Sequence, residues 1–140
     1  MRTVLEAQPL VRHVLYIEEN MSNIELVQEL LSRRSDLALI YSRTGLVGIA
    51  MAVAYRPAVI ILDLHLGDIK GVDALHHLRS NPETSNIPVM ALSSNASPKQ
   101  VADGLEAGFC EFVPKPFQFA DFLSALDSCL RCSPSSVVLN

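Results

Sequence analysis

Five short apolar runs, at 13–17, 37–41, 58–62, 88–92 and 110–113, recur along the chain, each followed by a segment with helical spacing. The runs are dense in Val, Ile and Leu and lack clean apolar–polar alternation. Strands with one wet face alternate, whereas strands covered on both faces do not. The pattern therefore predicts five βα units, with about ten to fifteen residues of helix-like sequence between strands. Such a count with short connections implies an open parallel sheet with helices on both sides.

Each helix has its own signals. The first is expected over 21–34, with Ile24, Val27, Leu30 and Leu31 as its apolar stripe and Asn20 or Ser22 as the cap. The second, over 45–55, ends before Pro57 and contains no charge at all. Leu46, Val47, Met51 and Val53 cannot all face the sheet, which leaves either an interaction surface or simply an apolar helix. The third starts after Gly71 and carries Val72, Leu75 and Leu78, with His76 and His77 on its exposed side. The fourth opens with Ser97-Pro98, holds Val101 and Leu105 and stops at Gly108: serine as cap, proline first, glycine beyond the end. The fifth presents Phe119, Phe122, Leu123, Leu126 and Leu130. One globular unit over 11–132 is expected between a flexible leader (1–10) and a flexible tail (133–140), which leaves no room for an attached output domain.

Composition narrows the class. With 49% hydrophobic and 19% charged residues over 140 positions, the chain has enough apolar surface for a core without staples. Its formal net charge of −4 and scattered Lys and Arg argue against nucleic acid as a partner. No apolar stretch suits a signal peptide or a bilayer span, so no membrane association and a cytoplasmic location are expected. Cys110, Cys129 and Cys132 are too few and odd in number for a secreted disulfide framework. Cys129 and Cys132 have C-x-x-C spacing on a predicted helix but no second pair, short of a zinc site.

In a doubly wound sheet, function gathers at the carboxyl ends of the strands. Those ends carry Glu18-Glu19-Asn20, Ser42-Arg43 (which adds little), Asp63, Ser93-Ser94 and Lys115-Pro116. Crowded carboxylates raise each other's pKa unless a cation neutralises them. Mg²⁺ does this with one or two carboxylates, waters and phosphate oxygens. A lysine can hold one anionic phosphate oxygen and a serine hydroxyl another. That leaves Asp63, at the end of the central strand, as nucleophile towards a phosphoryl group.

Four segments together resemble the receiver domains of two-component response regulators. The run from His13 to Asn20 resembles their acidic first-strand motif. The run from Val59 to Leu66, followed by Gly71, resembles their phosphoacceptor segment. The run from Ile87 to Ala96 resembles their fourth strand with its switch hydroxyl, and Gly108 to Phe117 their fifth-strand lysine–proline motif. The resemblance implies the flavodoxin-like five-stranded parallel sheet, order 2-1-3-4-5. It implies phosphorylation of Asp63 by a histidine kinase or histidine phosphotransfer protein, with Mg²⁺ or Mn²⁺ held by Glu18, Glu19, Asp63 and the His65 backbone carbonyl. Ser93 and Lys115 would bind the phosphoryl group, Lys115–Pro116 would be cis, and Ser93 and Phe112 would form the switch. The result would be a signalling switch controlling a downstream protein, open to homodimer formation, either stand-alone or excised from a hybrid kinase.

The family usually carries aspartate at the second acidic position, where this chain has Glu19. An alternative therefore keeps the fold but loses phosphorylation, leaving a phosphorylation-independent interaction module. A flavin carrier would need a Ser/Thr/Gly-rich loop after the first strand, where Glu18-Glu19 would repel phosphate. A phosphatase would place a second acid two residues after Asp63, where His65 stands.

Overall fold

A computed structural model describes residues 10–133, so all but the last residue of the leader and all but the first residue of the tail lie outside the described residues. The elements run β1 (Arg12–Ile17), α1 (Met21–Leu31), β2 (Leu37–Ser42), α2 (Gly45–Tyr55), β3 (Val59–Asp63), α3 (Gly71–Arg79), β4 (Val89–Ser93), α4 (Pro98–Ala107), β5 (Glu111–Pro114) and α5 (Phe119–Arg131). The strands form one parallel sheet in the order β2-β1-β3-β4-β5. The expected fold class is the observed one.

Two apolar clusters fill the two sides, divided by the two-residue period of the strands. Val14, Tyr16, Val59, Ile61, Met90 and Leu92 face α1 and α5, meeting Ile24, Val27, Phe122 and Leu126. Leu15, Ile17, Ile60, Leu62 and Ala91 face the other way, meeting Ala52 of α2 and Ala74, Leu75 and Leu78 of α3. Every residue of β3 and β4 is buried, which explains why the sequence shows no alternation there. Each fully buried Leu, Ile or Val contributes about 1.5–3 kcal/mol. No helix among the described residues is long and apolar enough to cross a membrane.

Several local expectations need correcting. Helix α1 ends at Leu31, three residues early, because Arg34 turns out of the helix to pair with Asp36 and with Asp127 of α5, both at 3.0 Å. Its cap is Asn20, whose side chain accepts from the Asn23 amide. Val72 is exposed, because the buried face of α3 follows Gly71, Ala74, Leu75 and Leu78 and leaves Val72 on the opposite side. Leu105 and Phe119 are also exposed. Helix α4 buries only Gly104. Its Ser97 cap, Pro98 start and Gly108 end (φ 118°) are as expected. On α2, Leu46, Val47 and Tyr55 are more than half exposed, so its apolar outer face is open.

Phe122 is wholly buried and stacks on Phe117 with ring centroids 4.8 Å apart. Truncating it leaves a cavity between α5 and the sheet. Phe122→Ala is expected to cost about 3–5 kcal/mol in urea unfolding, whereas Leu46→Ala on the open face of α2 should stay within about 0.5 kcal/mol. Equal losses at the two positions would contradict this assignment of the core.

Candidate functional site

The strand register brings the candidate residues to one edge. Ile17 lies beside Leu62, Asp63 beside Leu92 and Ser93 beside Pro114. Glu18 therefore leaves β1, Asp63 ends β3, Ser93 ends β4 and Lys115 leaves β5 along one rim, with Asp63 central. Glu18, Glu19, His65, Arg43 and Lys115 line an open cleft of ≈ 630 Å³.

Three charged groups meet beneath that cleft. Lys115 Nζ lies 2.8 Å from Asp63 Oδ2 and 3.6 Å from Glu18 Oε1. The His65 amide donates to Asp63 Oδ1 at 2.8 Å. The Tyr16 hydroxyl donates to Glu18 Oε1 at 2.9 Å, and the Asn20 amide to Glu18 Oε2 at 3.0 Å. Both carboxylates are almost fully buried. Burial pushes the Glu18 carboxyl up, and the hydrogen bond and charge it shares with Asp63 add to this against the pull of Asn20 and Tyr16. Burial pushes Asp63 up as well, but the hydrogen bonds with Glu18, Lys115 and the His65 amide outweigh it and hold Asp63 low. The same partners hold the Lys115 ammonium up against its own desolvation. The pair is thus split, with Asp63 the group that ionises first.

The remaining predicted residues are placed differently. The Glu19 carboxylate accepts from the Gly67 amide at 3.2 Å instead of joining Asp63. Ser93 is buried, and its hydroxyl donates to the Asn95 carbonyl and accepts from the Asn95 amide, both at 3.0 Å. Phe112 is half-buried with its ring over α4, where a Cβ on Gly104 would lie 2.5 Å from its Cδ2. The Lys115–Pro116 bond is cis.

Three residues at the site were missed in the sequence. Tyr16 left one signal, its place two positions before Glu18, which puts the two on the same side of the chain as it leaves β1. Arg43 donates from Nε and Nη2 to the Glu19 carbonyl at 3.0 and 2.9 Å, a contact across 24 residues without any local sequence signal. Asp68 accepts from the amides of Gly45 and Leu46, each at 2.9 Å, and so ties the loop after Asp63 to the start of α2.

The donor set suits a hard divalent cation. Glu18 and Asp63 offer carboxylate oxygens with one ammonium between them, a deficit of positive charge in a buried place. Among the described residues no three His, Cys, Asp or Glu side chains converge as a ready-made metal cage. Mg²⁺ does not need one, since it binds through one or two carboxylates and keeps several waters.

A raised carboxyl pKa means the folded state holds its proton longer than the unfolded chain. Glu18 therefore lowers stability as pH rises through its folded value, while below the unfolded value, about 4.3, it is neutral in both states and the penalty vanishes. Asp63 has the opposite sign: its contribution is present above its unfolded value and lost as pH falls through the lower folded one. Glu18→Gln is expected to raise the urea midpoint at pH 7, with the gain fading towards pH 4. A gain equally large at both pH values would show that charge burial is not its cause.

A family model described as the response regulator receiver domain matches residues 14–127. The chain is 28% identical over 120 residues to the polar-differentiation response regulator DivK of Brucella anthropi, covering 85% of this chain and 96% of DivK. It is 33% identical over 119 residues to the transcriptional regulatory protein CseB of Streptomyces coelicolor, covering 85% of this chain and 49% of CseB. The chain thus spans about half the length of that second relative. Its fold matches the receiver domain of the sensor histidine kinase PA1611 from Pseudomonas aeruginosa, solved with a magnesium ion coordinated in the active site cleft. That match has a TM-score of 0.76 at 23% identity, over 86% of this chain and 98% of that one. With the parallel sheet in the order β2-β1-β3-β4-β5, and a family match running from β1 into α5, the chain belongs to the response regulator receiver domain family.

Proposed function

We propose that this domain accepts a phosphoryl group on Asp63 from a phosphohistidine of a histidine kinase or histidine phosphotransfer protein. The observation that carries the reading is the Lys115 ammonium 2.8 Å from Asp63 Oδ2, with the other oxygen held by the His65 amide. An ionised, oriented carboxylate at the floor of an open cleft is a prepared nucleophile. A carboxylate oxygen of Asp63 attacks phosphorus, the phosphorus–nitrogen bond breaks, and the histidine nitrogen leaves with the electron pair. The Lys115 ammonium then turns to donate to one phosphoryl oxygen, and the Ser93 hydroxyl leaves the Asn95 carbonyl to donate to another. Glu18 and Asp63 would hold Mg²⁺ or Mn²⁺, with Glu19 and the His65 carbonyl at the cleft as further oxygen donors. When bound, the ion supplies positive charge to the carboxylates and the phosphoryl oxygens.

The movement of Ser93 empties space beside β5, and Phe112 swings inward off Gly104. Phosphorylation thereby biases two shapes of the face formed by α4, β5 and α5, which a downstream protein or a second copy reads. The domain is a signalling switch, and a phosphorelay of this kind places it in the cytoplasm. The alternative, a docking domain indifferent to phosphate, draws support from Glu19, whose carboxylate is occupied by Gly67.

Beryllofluoride, a phosphoryl mimic, separates the two. Titrated with and without Mg²⁺ and followed by amide NMR, it should give saturable, Mg²⁺-dependent shifts around Asp63, Ser93 and Phe112. Asp63→Asn should abolish them. An unchanged spectrum at saturating Mg²⁺ would leave only the docking reading.

A further inference from the structure

Tyr16 is among the largest fully buried side chains, one residue before the end of β1 on the face covered by α1 and α5. Packing alone does not call for its hydroxyl there, since Phe fills nearly the same volume and a buried hydroxyl without a partner is costly. The partner is Glu18 Oε1, at 2.9 Å and buried. The contact runs from the phenol hydroxyl to a carboxylate oxygen, so Tyr16 is the donor.

Glutamate has one more rotatable bond than aspartate, so a free Glu18 carboxylate would sample several positions. Two hydrogen-bond donors and one nearby charge fix it: the Tyr16 hydroxyl at Oε1, the Asn20 amide at Oε2, and the Lys115 ammonium 3.6 Å from Oε1. Lys115 is the most distant of the three and lies closer to Asp63. It is also the one that must turn to the phosphoryl group during transfer. Once it turns, Tyr16 is the donor left on Oε1.

We propose that Tyr16 is a positioning residue of the phosphoacceptor site, its hydroxyl fixing the longer Glu18 carboxylate where it can serve the divalent ion. The inference rests on the reading above that Glu18 serves that ion. A hydrogen-bond partner behind a metal ligand is worth about tenfold or more in metal affinity.

The test is Mg²⁺ titration of the native chain, Tyr16→Phe, Glu18→Gln and the double variant, followed by the Asn20 and His65 amide shifts, with urea midpoints measured alongside. Tyr16→Phe should weaken Mg²⁺ binding about tenfold and have no further effect once Glu18 is Gln. In the native chain, Mg²⁺ should also change the near-ultraviolet circular dichroism. The chain has no tryptophan, and Tyr41 and Tyr55 are exposed, so that signal reports mainly on Tyr16. The change should be absent in Glu18→Gln. If Tyr16→Phe lowers the urea midpoint but leaves Mg²⁺ affinity intact while Glu18→Gln weakens it, Tyr16 is a core residue only and the inference fails. An equal loss in both Glu18 backgrounds overturns it too. If neither variant changes Mg²⁺ affinity, the error lies in Glu18 as a metal ligand.

Discussion

One ammonium shared between two buried carboxylates is the constraint on which the rest of this molecule depends. Asp63 and Glu18 are each nearly inaccessible, and burying an ionised carboxylate without a partner costs several kcal/mol. Lys115 offsets that cost only because β1, β3 and β5 end along the same rim. The parallel register, the short loops and the fully buried β3 and β4 all serve to bring those three chain positions together. The same arrangement leaves the site short of positive charge. A fold that satisfied its own charges completely would have less use for a cation or a phosphoryl group.

The two faces of the sheet are anchored unequally. Helices α1 and α5 bury broad apolar stripes and are cross-linked by Arg34 to Asp127. Helix α4 buries a single glycine, and the Phe112 ring takes the space where a side chain would have been. A glycine inside a helix costs roughly 0.5–1 kcal/mol relative to alanine, so α4 is held weakly by its own sequence as well as by its packing. Weakly held elements are the ones a small change at a site can move. The chemistry at Asp63 is therefore rigidly framed on one side and loosely framed on the side that carries Phe112.

Much of this was legible in the sequence. The five apolar runs without alternation gave the parallel sheet, because burial on both faces leaves that mark, and the strand ends gave Asp63, Glu18, Ser93 and Lys115. Helix interiors were harder. Val72 and Leu105 sit at helical spacing from core residues, yet a rotation of less than one residue's arc puts them in water. Arg43 and Asp68 were beyond reach, since each acts on backbone groups more than twenty residues away, and no local pattern encodes such contacts. Tyr16 failed for another reason: inside a run of buried residues its ring reads as core, and only its hydroxyl belongs to the site.

Glu18 and Glu19 are neighbours in sequence but not a pair in space. Glu18 turns inward to Tyr16, Asn20 and Lys115, while Glu19 reaches across to the Gly67 amide and Arg43 grips its carbonyl. One residue further along that same loop, Asp68 caps the start of α2. The loop after Asp63 is thus tied on one side to the end of β1 and on the other to α2. Longer side chains at the acidic positions would normally loosen a site, but here each is fastened by its own donors. Side-chain length is then exchanged for reach: Glu18 stays with Asp63 and Lys115, and Glu19 holds the loop that carries His65. Two carboxylates beside Lys115 and a third bracing the loop are few oxygen donors, firmly placed, and a donor set of that kind suits a hard divalent cation.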